Sequence, residues 1–171
     1  FFSLWLPAFC AEKYPDTYTV FAGGDDFFLI GPWLQTQKLA AEMREQFRRY
    51  VAENAAITFS AGIAVIKPGL PPGKLSAYAE EALEAAKAYP ANENEKRKQL
   101  GSKNSVCVYG QVVSWQQWSG IQEAFERIGR LKEAYGLSTG FVYSMLQFCE
   151  QAEAEKGGDI NAGMWRSRFA Y

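Results

Sequence analysis

Residues 17–31 read TYTVFAGGDDFFLIG, which is two short apolar runs separated by a Gly-Gly-Asp-Asp tetrad. The first run, Thr17 to Ala22, is rich in β-branched and aromatic residues and predicts a strand. The second run, Phe27 to Ile30, is apolar throughout and ends at a Gly-Pro pair, so it predicts a strand with both faces covered. We therefore expect a β-hairpin with a four-residue turn at residues 23–26.

The tetrad at this turn has the composition of a metal and phosphate site. Gly23 and Gly24 allow a tight bend and a close approach by a phosphate chain, because neither carries a Cβ atom. Asp25 and Asp26 supply the hard oxygen ligands that Mg²⁺ or Mn²⁺ prefers, and only at a turn can neighbouring residues of a strand reach one ion. Solvated acids in an ordinary hairpin turn are the alternative. The apolar flanks favour the metal site, since we expect a buried sheet face where a cation must offset the repulsion of the carboxylates.

Helices and strands alternate downstream of the hairpin. An apolar stripe at helical spacing predicts a long helix, and ITFSAGIAVI predicts a central strand in which Gly62 marks the close approach of another group. The order predicts an α+β fold, with an antiparallel or mixed sheet and helices packed on it. The elements expected are helices over 33–54 and 75–89, a strand over 57–66, a polar segment over 90–104 and a last strand over 105–109.

After Gly110 the sequence predicts helices only, in place of alternating helices and strands. Two helical segments, Trp115 to Tyr135 and Ser138 to Lys156, are separated by Gly136. We place a domain boundary near Gln111, with residues 1–110 forming the α+β domain and residues 111–171 forming a small all-α domain.

Composition excludes several classes of function. The 171 residues include 18 Lys and Arg against 19 Asp and Glu, so the chain is not a polycation that coats nucleic acid. Histidine is absent from the sequence, which rules out a Ser-His-Asp triad and any imidazole-bound metal within this chain. The three cysteines form no CxxC pair and suit a reducing cytoplasm. No apolar stretch reaches about 18 residues, so we expect no membrane span.

Four blocks of the sequence are distinctive: VFAGGDDFFLIG at 20–31, ITFSAGIA at 57–64, AEEALEAAK at 79–87 and GSKNSV at 101–106. Together they resemble the GGDD palm of the large, polymerase-cyclase-like subunit of type III CRISPR effector complexes. The resemblance covers roughly residues 1–115, and the helices that follow are similar to the C-terminal domain of its III-A subtype. It implies a ferredoxin-like palm of the nucleotidyl cyclase type.

The resemblance also implies an activity, which is the joining of ATP through 3′–5′ linkages into cyclic oligoadenylates when the complex binds target RNA. Its implied partners are the other subunits of the complex, guide RNA and target RNA, with Mg²⁺ or Mn²⁺ as cofactor. The implied site comprises Asp25 and Asp26 as catalytic metal ligands, Gly23 and Gly24 as the bed for the triphosphate, Ser60 near the base or ribose, and Lys87 and Lys103 near the phosphates.

The chain departs from this family's pattern at one point. The family has an acidic residue on a strand before the hairpin, and nothing before Thr17 matches that strand. We therefore expect the sequence to begin inside the helix that joins this first strand to the hairpin. We also expect the isolated fragment to bind metal and nucleotide poorly.

Two other functions stay open at the sequence level. One is a GGDEF-type diguanylate cyclase. Against it, this chain has Asp26 followed by Phe27 and Phe28 at the position where those cyclases have Glu-Phe. The other is a palm kept as a scaffold for partner subunits and guide RNA, against which the intact acid pair counts.

Overall fold

A computed structural model describes residues 1–89 and 103–170 of the chain. Its contacts divide these residues into two compact units, Phe1–Ile121 and Gln122–Tyr171. The first unit combines helices with two small sheets, and the second is helical. This confirms the predicted α+β fold followed by a helical region. The domain division at residues 110 and 111 stays a prediction.

The acid tetrad lies in a β-hairpin, as predicted. Helix α1 (Trp5–Lys13) leads to strands β1 (Tyr18–Gly23) and β2 (Asp26–Ile30), which pair antiparallel. The turn is tighter than expected, because Gly23 pairs with Asp26 and only Gly24 and Asp25 form the loop. Gly24 has a φ of +61°, and glycine with positive φ at the first loop position is the requirement of a type II′ turn.

The hairpin faces are only partly covered. Phe27, Phe28 and Leu29 are half-buried, whereas Tyr18 and Phe21 on β1 are exposed. The prediction that both faces of the second strand are covered is therefore wrong in degree. Four consecutive apolar residues do not by themselves supply neighbours for both faces of a two-stranded ribbon.

The second sheet has three strands in the order β3-β4-β5. Strand β3 (Ala61–Ile63) pairs parallel to β4 (Ser105–Val108), and β4 pairs antiparallel to β5 (Gln111–Ser114). The sequence predicted residues 105–109 as the last strand, so β5 is a correction. Tyr109 and Gly110, with φ of 53° and 73°, make the two-residue turn between β4 and β5. A Tyr-Gly pair was missed because such turns usually carry Asn-Gly or Asp-Gly.

Two helices pack against the second sheet. Helix α2 (Trp33–Tyr50) ends before the predicted residue 54, and α3 (Pro72–Lys87) starts before the predicted residue 75. Strand β3 is shorter than the predicted 57–66, because a strand is only as long as its pairing and the register with β4 runs from Ala61 to Ile63. The predicted polar segment over 90–104 lies largely outside the described residues.

The core of the first unit consists of two hydrophobic clusters that share Phe59 as a partly buried neighbour. The first cluster joins α1 to α2, and the second joins α2 to β3, β4 and the start of the next helix. Trp115 is the first residue of that helix, and its Nε1–H donates at 2.9 Å to the carbonyl of Phe59, which lies two residues before β3. The buried members are Phe2, Leu6, Cys10, Tyr14, Leu39, Met43 and Phe47 in the first cluster, and Ala40, Ala61, Ile63, Val106, Val108, Trp115 and Trp118 in the second.

The second unit is built from helical segments, as expected. Helix α4 (Trp115–Tyr135) begins in the first unit, and Ser138 caps α5 (Thr139–Lys156) by accepting from the Phe141 N–H at 3.1 Å. A 3₁₀ helix (Ile160–Met164) and α6 (Trp165–Ala170) follow. No helix in the described ranges is both long and apolar enough to cross a membrane.

Candidate nucleotide and metal site

The two acidic residues occupy the tip of the hairpin. Asp25 is the second loop residue, and Asp26 is the first residue of β2. Both carboxylates are exposed, so the expectation that they adjoin a buried face is wrong. Their repulsion is screened by water and does not require a cation. The exposed oxygens are instead open to an incoming ion together with its own ligands.

The two glycines leave open space above the turn. A Cβ atom built on Gly23 or Gly24 meets nothing within 4 Å, so a phosphate chain can come close to this backbone. The Gly24 N–H is not free, however, because it donates to the Ser3 hydroxyl at 3.2 Å. The turn therefore offers space to a phosphate chain, but one of its amides already has a partner.

Lys87 at the end of α3 is paired with a glutamate of its own helix, and its role at the phosphates stays a prediction. Its ammonium donates to Glu84 Oε1 at 2.8 Å, and this bond is the main cause of the raised pKa of Lys87. Desolvation, the second-largest effect, lowers the pKa, and the charges of Glu84, Asp26 and Glu80 raise it by smaller amounts. The Asp26 carboxylate is thus close enough to act on Lys87 electrostatically. The fold brings together a cation and an anion that are far apart in sequence.

The position of Lys87 depends on a buried hydroxyl. Ser105, which is fully buried at the start of β4, donates to the Ala86 carbonyl at 2.5 Å and so holds the end of α3 against the sheet. We expect Ser105→Ala to lower the free energy of unfolding by about 2 kcal/mol, because a buried carbonyl loses its donor. Urea unfolding followed by tryptophan fluorescence measures this, with Ser76→Ala, at an exposed serine of the same helix, as control. Equal stabilities of the two variants would contradict the role of this bond.

Lys103 has an unusual backbone conformation. Its φ is +45°, which is uncommon outside glycine, and its carbonyl accepts from the Thr58 hydroxyl at 3.0 Å. The side chain is exposed. Within the described ranges, its ammonium has no hydrogen bond or ion pair with either carboxylate of the turn. The structure therefore places Lys103 at the start of the sheet without joining it to the acid pair.

Ser60 immediately precedes β3, and its hydroxyl oxygen is buried. Among the described residues this oxygen has no hydrogen-bond partner. A buried polar group without a partner costs about 1–3 kcal/mol, so the Ser60 hydroxyl has the capacity for a further hydrogen bond.

The metal-binding capacity of this region is limited to the acid pair. In the described residues, no three His, Cys, Asp or Glu side chains cluster as metal ligands. Mg²⁺ is commonly held by one or two carboxylates, with waters and substrate phosphates completing its coordination. Asp25 and Asp26 fit that mode of binding and do not fit an all-protein cage.

The contacts of Ser3 and Ser105 were not predicted from the sequence. Ser3 at the turn has no motif around it, and no sequence signal could have found it. Ser105 could have been noticed as a polar residue that begins an otherwise apolar strand.

The fold and the turn define a palm domain with an exposed acid pair on a hairpin. A family model, Cas10/Cmr2, second palm domain, matches residues 1–107. The chain therefore belongs to the Cas10/Cmr2 family, which confirms the resemblance to the large subunit of type III CRISPR complexes.

Curated relatives agree with this family. Three are named CRISPR system single-strand-specific deoxyribonuclease Cas10/Csm1 (subtype III-A). The protein of Methanocaldococcus jannaschii is 36% identical over 104 residues, 60% of this chain and 13% of that protein. The protein of Thermococcus onnurineus is 36% identical over 144 residues, which are 80% of this chain and 18% of that protein. The protein of Enterococcus italicus is 30% identical over 134 residues, which are 75% of this chain and 16% of that protein. The chain thus spans less than a fifth of the length of these relatives.

Proposed function

We propose that this chain carries the nucleotidyl-transfer palm of a type III CRISPR effector subunit, and that the subunit joins ATP into cyclic oligoadenylates. The observation that carries the proposal is the exposed pair Asp25 and Asp26 at a turn whose glycines have open space above them. A bound Mg²⁺ or Mn²⁺ supplies Lewis-acid activation of the attacking hydroxyl and neutralises the pyrophosphate that leaves.

The residues of the chain divide the remaining work among themselves. Asp25 and Asp26 hold the ion, and the open backbone at Gly23 and Gly24 admits the triphosphate. Lys87 and Lys103 are compact cations suited to phosphate oxygens. The Ser60 hydroxyl, buried and without a partner in the described structure, contacts the base or ribose.

Two strands of the proposed palm have an unpaired edge in the described structure. In the described residues, β2 pairs only with β1, and β3 pairs only with β4, so each has one unpaired edge. The Phe2 ring lies 5.0 Å from that of Phe27 on β2 and 5.7 Å from that of Phe59 just before β3. Phe2 therefore contacts a residue of β2 and a residue two positions before β3, which links the hairpin to the second sheet.

The partners follow from the same family relationship. The relatives named above belong to CRISPR systems of subtype III-A. We accordingly propose that the partners are the other subunits of a type III effector complex, guide RNA and target RNA, in the cytoplasm. The nuclease activity in the relatives' names cannot reside in a histidine-based site here, since the sequence contains no histidine.

Identifying the product tests the proposed function. The complete subunit in its effector complex is incubated with target RNA, Mg²⁺ and either ATP or GTP, and the products are identified by mass spectrometry. Cyclic oligoadenylates from ATP are the expected result. Cyclic di-GMP from GTP would support a diguanylate cyclase, and no product together with no metal-dependent ATP binding would support a scaffold.

Removing the charge of Lys87 tests the phosphate contact. We expect Lys87→Met to raise the KM for ATP roughly 10-fold, because a charge-assisted contact to phosphate is worth about 1.5–3 kcal/mol. The control is Lys74→Met, which removes the same charge from the first turn of the same helix. Initial rates of product formation at varied ATP give the two KM values. Equal values would contradict a role for Lys87.

A further inference from the structure

The acid turn is held by two neighbouring residues outside the hairpin. The Ser3 hydroxyl accepts the Gly24 N–H, one residue before the acid pair. The Phe2 ring stacks on that of Phe27, one residue after the pair, with centroids 5.0 Å apart and planes at 29°. Contacts from Phe2 and Ser3 therefore bracket Asp25 and Asp26 on both sides.

The segment that makes these two contacts is packed in the hydrophobic core. Phe2 is 6% exposed, and its ring also stacks on that of Phe47 of α2 at 5.5 Å. Helix α1 follows directly, and Leu6 and Cys10 on it are buried in the same cluster. Ser3 itself is exposed, so its hydroxyl contributes little to the packing. The hydroxyl thus presents a fixed acceptor to the turn from a rigid support.

The hairpin needs such a support. An isolated two-stranded hairpin is marginally stable in water, and its tip is the part with the fewest neighbours. A small rotation at Gly24 would move the carboxylates apart, because Asp25 and Asp26 are the next two residues. A metal site requires its ligands within a few tenths of an ångström.

We propose that Ser3 is a positioning residue for the acid pair, acting through the Gly24 amide. The functional part of this proposal rests on the proposed function, in which the pair binds metal. It also alters the role of Gly24, since its N–H serves to orient the turn, and phosphate binding falls to the open face and to the lysines.

Variants of Ser3 in the complete subunit test the proposal. Hydrogen exchange of peptides covering residues 20–28, followed by mass spectrometry, reports on the Gly24 amide, and titration with Mn²⁺ reports on the acid pair. Ser3→Ala is expected to speed exchange and to weaken Mn²⁺ binding, each about 5-fold, as loss of one hydrogen bond implies. Ser3→Thr keeps the hydroxyl and restores both values. Ser76→Ala, at an exposed helical serine, serves as the control.

The possible outcomes separate the two proposals. Unchanged exchange or unchanged Mn²⁺ affinity in Ser3→Ala, or failure of Ser3→Thr to restore them, would overturn the role of Ser3 alone. A wild-type protein that protects the Gly24 amide through Ser3 but binds no Mn²⁺ would instead overturn the proposed function, and with it the metal-positioning role.

Discussion

Replacing Gly62 with alanine is expected to lower the free energy of unfolding of the first unit by about 3 kcal/mol or more. A Cβ atom on Gly62 would lie 2.2 Å from the Leu83 nitrogen and 2.7 Å from both the Ala79 oxygen and the Ala82 carbonyl carbon. All three are backbone atoms of α3, which cannot rotate away as a side chain could. The helix would have to shift off β3, and the sheet packing would loosen.

A second glycine provides the matched control for this experiment. Gly73 lies in the first turn of α3, where a Cβ atom meets nothing within 4 Å. Gly73→Ala should be neutral or stabilising by roughly 0.5–1 kcal/mol, because alanine loses less conformational entropy in a helix. Urea unfolding of both variants, followed by tryptophan fluorescence, gives the comparison. Similar stabilities would show that α3 does not pack directly on the backbone of β3.

Replacing both carboxylates of the turn with amides, Asp25→Asn with Asp26→Asn, is expected to reduce product formation from ATP by on the order of 100-fold or more. Metal activation contributes several kcal/mol to such reactions, and each 1.36 kcal/mol is a factor of ten in rate. Neutral amide oxygens are poor ligands for Mg²⁺ in place of carboxylates. Metal-dependent ATP binding by the complete subunit should be lost together with the product.

The control for this double variant removes negative charge elsewhere. Glu12→Gln takes one charge from an exposed position of α1 and should leave product formation unchanged within about twofold. Because both acids of the turn are exposed, the double variant should also keep its unfolding midpoint. Product formation that survives the double substitution would contradict the proposed site, and a lost fold would show in the midpoint.

The two predictions differ in how far the sequence could have led to them. Gly62 was recognised as a point of close approach because glycine within a strand often marks one. The group that approaches, the backbone of α3 at Leu83, became known only from the structure. Likewise, Lys87 was assigned to the site through the resemblance alone, and the contribution of the Asp26 charge to its raised pKa became known only from the structure.

Local patterns accounted for much of the fold. The hairpin, the long helix α2 and the helices of the second unit follow from apolar periodicity and from glycine and proline, which act over a few residues. Strand β5 and the length of β3 did not follow, because a strand is defined by its partner. The turn at Tyr109 was also not predicted. Tyrosine with positive φ is unfavourable in isolation and is tolerated only because of its surroundings.

The sequence by itself determined the α+β class, the acid pair at a hairpin tip and the likeness to a CRISPR palm. Each depends on neighbouring residues or on short blocks. Tertiary structure alone decided that the carboxylates are exposed, that the Asp26 charge acts on Lys87 and that the Ser3 hydroxyl accepts from the Gly24 amide. These features join residues distant in the chain, and which distant groups meet depends on how helices pack against sheets.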